Sequence, residues 1–169
     1  MIKTLRTIDA ISDRAGKITC WLATLLVALV SSEVIMRYVF NSPTMWNYET
    51  SMMVGGSLFA MGWAYALRHH SHVRVDVFYT RLSPRGKAVI DVLGALLLFF
   101  PLMVMFTSVS TAWAWQAWEI MEKSVETYWY PIIAPFRTMV AIGFMLITLQ
   151  GIARFIRDFH LLVRNQAYD

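Results

Sequence analysis

Apolar positions along the chain gather into four long runs, about Ile18 to Phe40, Trp46 to Leu67, Ala88 to Trp118 and Pro135 to Phe155. Each approaches or exceeds the roughly 20 residues that carry a helix across a bilayer. A backbone with no water to bond must be helical or a closed barrel, and these runs lack the short alternating segments of barrel strands. The pattern therefore predicts an all-α integral membrane protein of four tilted transmembrane helices. The third run is the longest. From Val92 to Trp118 it holds no charge, about 40 Å of helix against roughly 30 Å of hydrocarbon, so it has to tilt, bend or protrude. Pro101 lies inside it and removes a helical hydrogen bond, which predicts a bend there.

Residues 1–17 follow another pattern. Ile2, Leu5, Ile8, Ile11 and Ala15 recur at helical spacing, with Lys3, Arg6, Asp13, Arg14 and Lys17 mostly on other faces. That pattern predicts an N-terminal amphipathic helix lying in the inner membrane interface before the first span. The first apolar run is too long for a signal-peptide core and lacks a small-residue cleavage site, so it is expected to remain as a span. The whole chain reads as a single membrane domain, with connecting segments at 68–87 and 119–134.

Charge fixes an orientation. Lys3, Arg6, Arg14 and Lys17 precede the first run; Arg68, Arg74, Arg81, Arg85 and Lys87 fill the middle loop; Arg154, Arg157 and Arg164 close the chain. The 41–46 turn is uncharged, and 119–134 sets Glu119, Glu122 and Glu126 against Lys123. The positive-inside rule puts both termini and the 68–87 loop in the cytoplasm and the 119–134 loop in the periplasm. Trp46, Tyr48, Trp113, Trp115, Trp118, Tyr128, Trp129 and Tyr130 then all fall at the outer boundary, as an aromatic belt does. Composition agrees: 57% hydrophobic, 15% charged and a mean hydropathy of +0.50, against about 25% charged residues in soluble domains. A pI near 9.4 fits the anionic inner-leaflet surface here better than nucleic acid. The lone Cys20 excludes an internal disulfide.

Few residues suggest chemistry. Glu33 and Arg37 stand four apart, acid before base, in the favourable order for a helical ion pair. Glu33 lies about 10 Å inward from Phe40, too deep to ionise comfortably alone. It is read either as half of a self-contained pair or as a contact to a partner subunit. Glu49, one turn into the second run, either complements the helix dipole or meets Arg37 or Arg137 across an interface. Asp91 suits a helix N-terminus. His69, His70 and His72 cluster in one basic loop with only Asp76 nearby, unlike the separated, fixed-spacing ligands of a zinc or haem site, so no metal and no cofactor is expected in this chain. Gly56, Ala60 and Ala64 form a four-residue ladder of small side chains suited to close helix packing, with a neighbour inside or outside the chain. No nucleophile elbow, phosphate loop or catalytic dyad is present, and the chain is not expected to be an enzyme.

Arg37-Tyr38-Val39-Phe40-Asn41, then Pro43, Trp46 and Glu49, then Gly62 and Ala66-Leu67-Arg68, then His72-Val73-Arg74-Val75-Asp76 together resemble the small permease subunit, or Q-subunit, of tripartite ATP-independent periplasmic (TRAP) transporters. The match is specific over residues 33–87 and agrees in length and span count elsewhere. It departs in one respect: Trp46-Asn47-Tyr48-Glu49 carries one acid where many relatives carry two. The resemblance implies a bacterial or archaeal inner-membrane protein that anchors and scaffolds a large permease subunit. That large subunit would carry the substrate and the sodium coupling, and a periplasmic solute-binding protein would deliver an organic acid. Carried over by position, Glu33, Arg37, Trp46, Glu49, Gly56, Ala60, His72, Arg74 and Asp76 become candidates for contacts with that subunit or with phospholipid. The acidic loop residues Glu119, Glu122 and Glu126, oriented by Arg137, become candidates for docking the binding protein. A rival reading is a stand-alone four-span proton-coupled antiporter of the small multidrug-resistance type using Glu33. A third, a haem-bearing respiratory anchor, is disfavoured by the absence of histidines inside the runs.

Overall fold

The structure is a computed structural model and describes residues 2–69 and 83–164. Helix α1 spans Ile2–Tyr38 and α2 spans Met45–Arg68. Helix α3, Pro84–Gly94, runs through a π-helical turn at Ala95–Phe99 into α4, Phe100–Glu119. Helix α5 spans Ala134–Arg164. Apart from one isolated antiparallel bridge between Lys123 and Ile132, no strand occurs among the described residues, in line with the all-α expectation.

Local sequence accounts for the boundaries. Helix α1 ends where Asn41 takes the left-handed conformation at φ 49° and the Ser42 amide donates to the Met36 carbonyl at 3.0 Å. That bond closes the last turn, asparagine tolerates the conformation, and Pro43 forbids the helix to continue. Helix α3 starts on Ser83, whose hydroxyl accepts from the Gly86 amide at 3.2 Å, with Pro84 in the first turn, the favoured chemistry for both positions. The disturbance expected at Pro101 takes the form of the π turn just before it, where the Phe100 amide bonds five residues back to Ala95. Proline leaves the carbonyl four residues behind it without a donor, and a wider turn accommodates the mismatch.

The helices pack as an open row. Helix α1 lies on α2, α2 on α5, and α5 on the α3–α4 rod. Helices α1 and α4 share no packed seam and form the two edges. The tightest seam joins α2 to α5. A methyl placed on Gly143 would sit 2.6 Å from the Ala60 carbonyl oxygen, and one on Gly56 would meet the Phe136 ring at the same distance. Ala60 and Ala64 are fully covered there. The small-residue ladder of α2 therefore finds its neighbour within the chain. An aromatic file, Trp63–Phe144–Phe106 at 5.1 and 5.4 Å between centroids, carries the packing on to α4. Beside it, the Thr107 hydroxyl lies 3.2 Å from that of Thr148.

Two features differ from the sequence expectation. Residues 1–17 do not form a separate element: α1 runs unbroken from Ile2 to Tyr38. The face of its first turns carrying Leu5, Ser12 and Ala15 is buried, and Ser12 and Gly16 meet α5 and α2, whereas Ile11 is turned outward. Three helices are long and apolar enough to cross a membrane, within Lys3–Tyr38, Arg85–Glu119 and Ala134–Val163. Helix α2, expected as the second span, is not among them. Its glycines, serines and outer polar turn lower its hydropathy, and its place between α1 and α5 gives it less lipid to face.

The α2–α5 seam predicts a contrast between two glycines. Gly143→Ala forces backbone apart and is expected to cost about 1–3 kcal/mol. Gly94→Ala, where an added methyl meets nothing within 4 Å, is expected to be neutral or to gain about 0.4–1 kcal/mol. Unfolding midpoints of the purified chain in detergent, followed by tryptophan fluorescence, check this. Equal midpoints for the two variants would contradict the seam.

Candidate functional site

Glu33, Arg37, Trp46, Glu49, Glu119, Glu122, Glu126 and Arg137 gather at one end of the row of helices, in two joints. The first links α1 to α2. Glu33 Oε1 accepts from Arg37 Nη2 at 2.9 Å and Nε at 3.3 Å. Its Oε2 accepts from the Thr44 amide at 3.2 Å and from the Thr44 hydroxyl. Thr44 stands at the N-cap of α2 without bonding its own helix, so its hydroxyl is spent on Glu33. Asn47, buried in the next turn, donates to the Leu29 carbonyl at 2.9 Å and takes a bond from Ser51 at 2.8 Å. Glu33 and Arg37 are thus paired as their spacing predicts, and the same carboxylate pins the turn between the two helices. A carboxylate accepting this many bonds has no spare oxygen for exchange with a substrate cation.

The second joint ties the loop at 120–133 to α2. Two left-handed residues, Met121 and Tyr130, both at φ 48°, bracket a hairpin-like excursion. The Glu122 amide bonds the Ala117 carbonyl, the Ile133 amide bonds Glu122, and the Ser124 amide bonds Pro131, at 2.8–2.9 Å. Arg137 holds Glu122 in a two-pronged bond of 2.6 and 2.7 Å and lies 5.8 Å from the centre of the Trp113 ring. The tip then folds back on α2, where the Thr127 hydroxyl donates to Glu49 Oε1 at 2.5 Å. Glu49 is 0% exposed and its Oε2 has no hydrogen-bond partner among the described residues, a costly state for a buried carboxylate.

The structure places the sequence candidates as follows. Glu49 bonds neither Arg37 nor Arg137; its partner is Thr127, 78 positions away. Arg137 goes to Glu122, so these two shape the loop. Glu119 accepts from the Trp115 indole at 2.8 Å, and Glu126 is exposed at the tip. Trp46 is partly exposed at the start of α2. Gly56 and Ala60 are consumed by α5. His72, Arg74 and Asp76 lie outside the described residues. Among the described residues no group of three or more histidine, cysteine or acidic side chains is placed to hold a metal ion.

A third polar cluster, at the opposite end of the row, is not among the residues the sequence singles out. Ser12 donates to the buried Gln150 at 2.8 Å, and Gln150 donates to Asp9 at 3.0 Å. Arg157 reaches the other Asp9 oxygen at 2.5 Å. Arg68 bonds the Asp9 carbonyl and pairs with Asp13. The signal was present in register: Asp9 and Asp13 are four apart, and Gln150, Arg154 and Arg157 repeat at four and seven, so each set shares one helix face.

A family model described as tripartite ATP-independent periplasmic transporters, DctQ component, matches residues 26–161. No curated protein matches the chain. The matched span runs from within α1 through most of α5 and takes in both of these joints.

The Glu49–Thr127 bond gives a paired prediction. Thr127→Val strands a buried carboxylate and is expected to cost about 1–3 kcal/mol. The double variant Glu49→Met with Thr127→Val, which removes both polar partners, is expected to recover much of that loss. Unfolding midpoints of the single and double variants measure the coupling, and strictly additive losses would refute it.

Proposed function

The chain belongs to the DctQ component family of tripartite ATP-independent periplasmic transporters, and from that premise we propose that it is the fixed scaffold of its transporter. As a small membrane subunit it has partners of two kinds, a large permease and a periplasmic binding protein. In this reading the large permease carries substrate and sodium, the substrate is an organic acid, and this chain anchors the moving parts without binding either. Helix α2 joins the three long apolar helices as a fourth span, with both termini cytoplasmic and the 119–134 loop periplasmic, as the distribution of basic residues supports. The loop, shaped by the Glu122–Arg137 fork and presenting Glu119 and Glu126, helps dock the binding protein.

The observation that carries this reading is the open row. Both edge helices present large apolar side chains that no other described residue covers: Trp21 and Val27 on α1, Val104 and Trp115 on α4. A row of helices offers long flanks to a partner, whereas a self-contained carrier needs a closed path. The antiporter reading wants an unpaired acid in mid-membrane. Glu33, its candidate, spends both oxygens on Arg37 and Thr44, so the antiporter is not favoured.

Two measurements test the proposal. An affinity-tagged chain co-expressed with the large permease of its transporter is expected to retrieve that permease in mild detergent; recovery of the chain alone would contradict the assignment. With Cys20 replaced by serine, a single cysteine at Val125 is expected to react in whole cells with a membrane-impermeant maleimide, and one at Lys3 only after lysis. The opposite pattern would reverse the orientation.

A further inference from the structure

The tip of the outer loop, residues 125–130, lies against the first turn of α2, held there by Thr127 on the buried Glu49. Between the two runs a groove of about 530 Å³, lined in part by Tyr48, Glu126, Tyr128 and Tyr130. The three phenol rings are far from buried: Tyr48 is 64% exposed, Tyr128 83% and Tyr130 48%. Tyr130 holds its left-handed backbone at φ 48°, a conformation that disfavours a bulky residue. The bonds from Ser124 to Pro131 and from Ile133 to Glu122 hold that conformation in place. Backbone strain of this sort persists where the surroundings over-determine it, often at a ligand clamp.

Charge selects the occupant. Glu122 is neutralised by Arg137 and Glu119 is engaged by Trp115, while Glu126 joins no salt bridge among the described residues. Ring faces carry negative quadrupole and attract cations, most strongly a guanidinium or ammonium that can also pair with a carboxylate. Tyrosines around such a pocket are also the residues that dominate binding at protein interfaces. The groove opens between the loop tip and the first turn of α2. Glu126 in its lining repels the phosphate of a lipid headgroup, which favours a cationic side chain from a protein partner.

We infer that this tyrosine-lined groove seats an arginine or lysine side chain presented by the periplasmic binding protein, with Glu126 as its counter-ion. The inference rests on the docking reading above and names the point of contact. Glu49 and Thr127 act as positioning residues, holding the loop so that the rings and Glu126 face one opening.

The test uses the assembled transporter in nanodiscs of phosphatidylethanolamine and phosphatidylglycerol, incubated with its purified binding protein. A photo-reactive benzoylphenylalanine replaces Tyr128, Trp115 or Leu97 in turn. The Tyr128 position is expected to give an adduct mapping to a lysine- or arginine-bearing peptide of the binding protein, and Leu97 none. Glu126→Lys is expected to cut that adduct at least five-fold, and Glu126→Asp to restore most of it. An adduct from Trp115 but not from Tyr128 would overturn the groove and leave the docking reading standing. No adduct from either outer position would overturn both. A lipid adduct from Tyr128, or a binding-protein adduct unmoved by Glu126→Lys, would overturn the basic-side-chain assignment.

Discussion

Apolar side chains gain little by leaving lipid for one another, so helices in a bilayer are held by close approach and by polar bonds that have no water to compete with them. The α2–α5 seam supplies the close approach, with Gly143 against the Ala60 carbonyl and Gly56 against Phe136. Polar pins supply the rest at three depths. Glu33 and Asn47 join α1 to α2 at one end, Thr107 and Thr148 join α4 to α5, and Ser12, Gln150, Asp9 and Arg157 join α1 to α5 at the other end. None of these pins joins α1 to α4. Among the described residues the row stays open, with no packed seam between its edge helices.

How much of this was legible in the sequence follows from distance along the chain. The Glu33–Arg37 pair is a contact four residues apart, and its spacing gave it away. The Asn41–Pro43 stop of α1 and the irregular turn before Pro101 are likewise local backbone chemistry. The Gly56–Ala60–Ala64 ladder announced a close neighbour, and only the fold says that the neighbour is α5. What was not legible is long-range. Glu49 and Thr127 are 78 positions apart, Ser12 and Gln150 138, and no periodicity within one helix selects a partner at that distance. Over the first seventeen residues, an amphipathic pattern does not say whether its face meets lipid or protein. Their buried face meets α2 and α5.

Function follows the same division of labour. The acids at the outer boundary first suggest transport chemistry, since charge at that depth is costly unless it is paired or used. Glu33 and Glu122 are each paired within the chain, and Glu49 is sealed beneath its own loop. What they stabilise is a shape: a loop held in a strained conformation against the first turn of α2. A subunit built in this way suits a transporter whose moving and coupling parts lie in another chain.

Immobility is the central claim, and it can be measured directly. With Cys20 replaced by serine, spin labels at Tyr38 and Trp118, at the outer ends of the two edge helices, report the width of the row in the assembled transporter by double electron–electron resonance. The account predicts one distance distribution, unchanged whether the transporter is held facing outward, held facing inward or cycling with substrate. A shift of several ångströms between those states would mean that this chain moves with the cargo, and would contradict it.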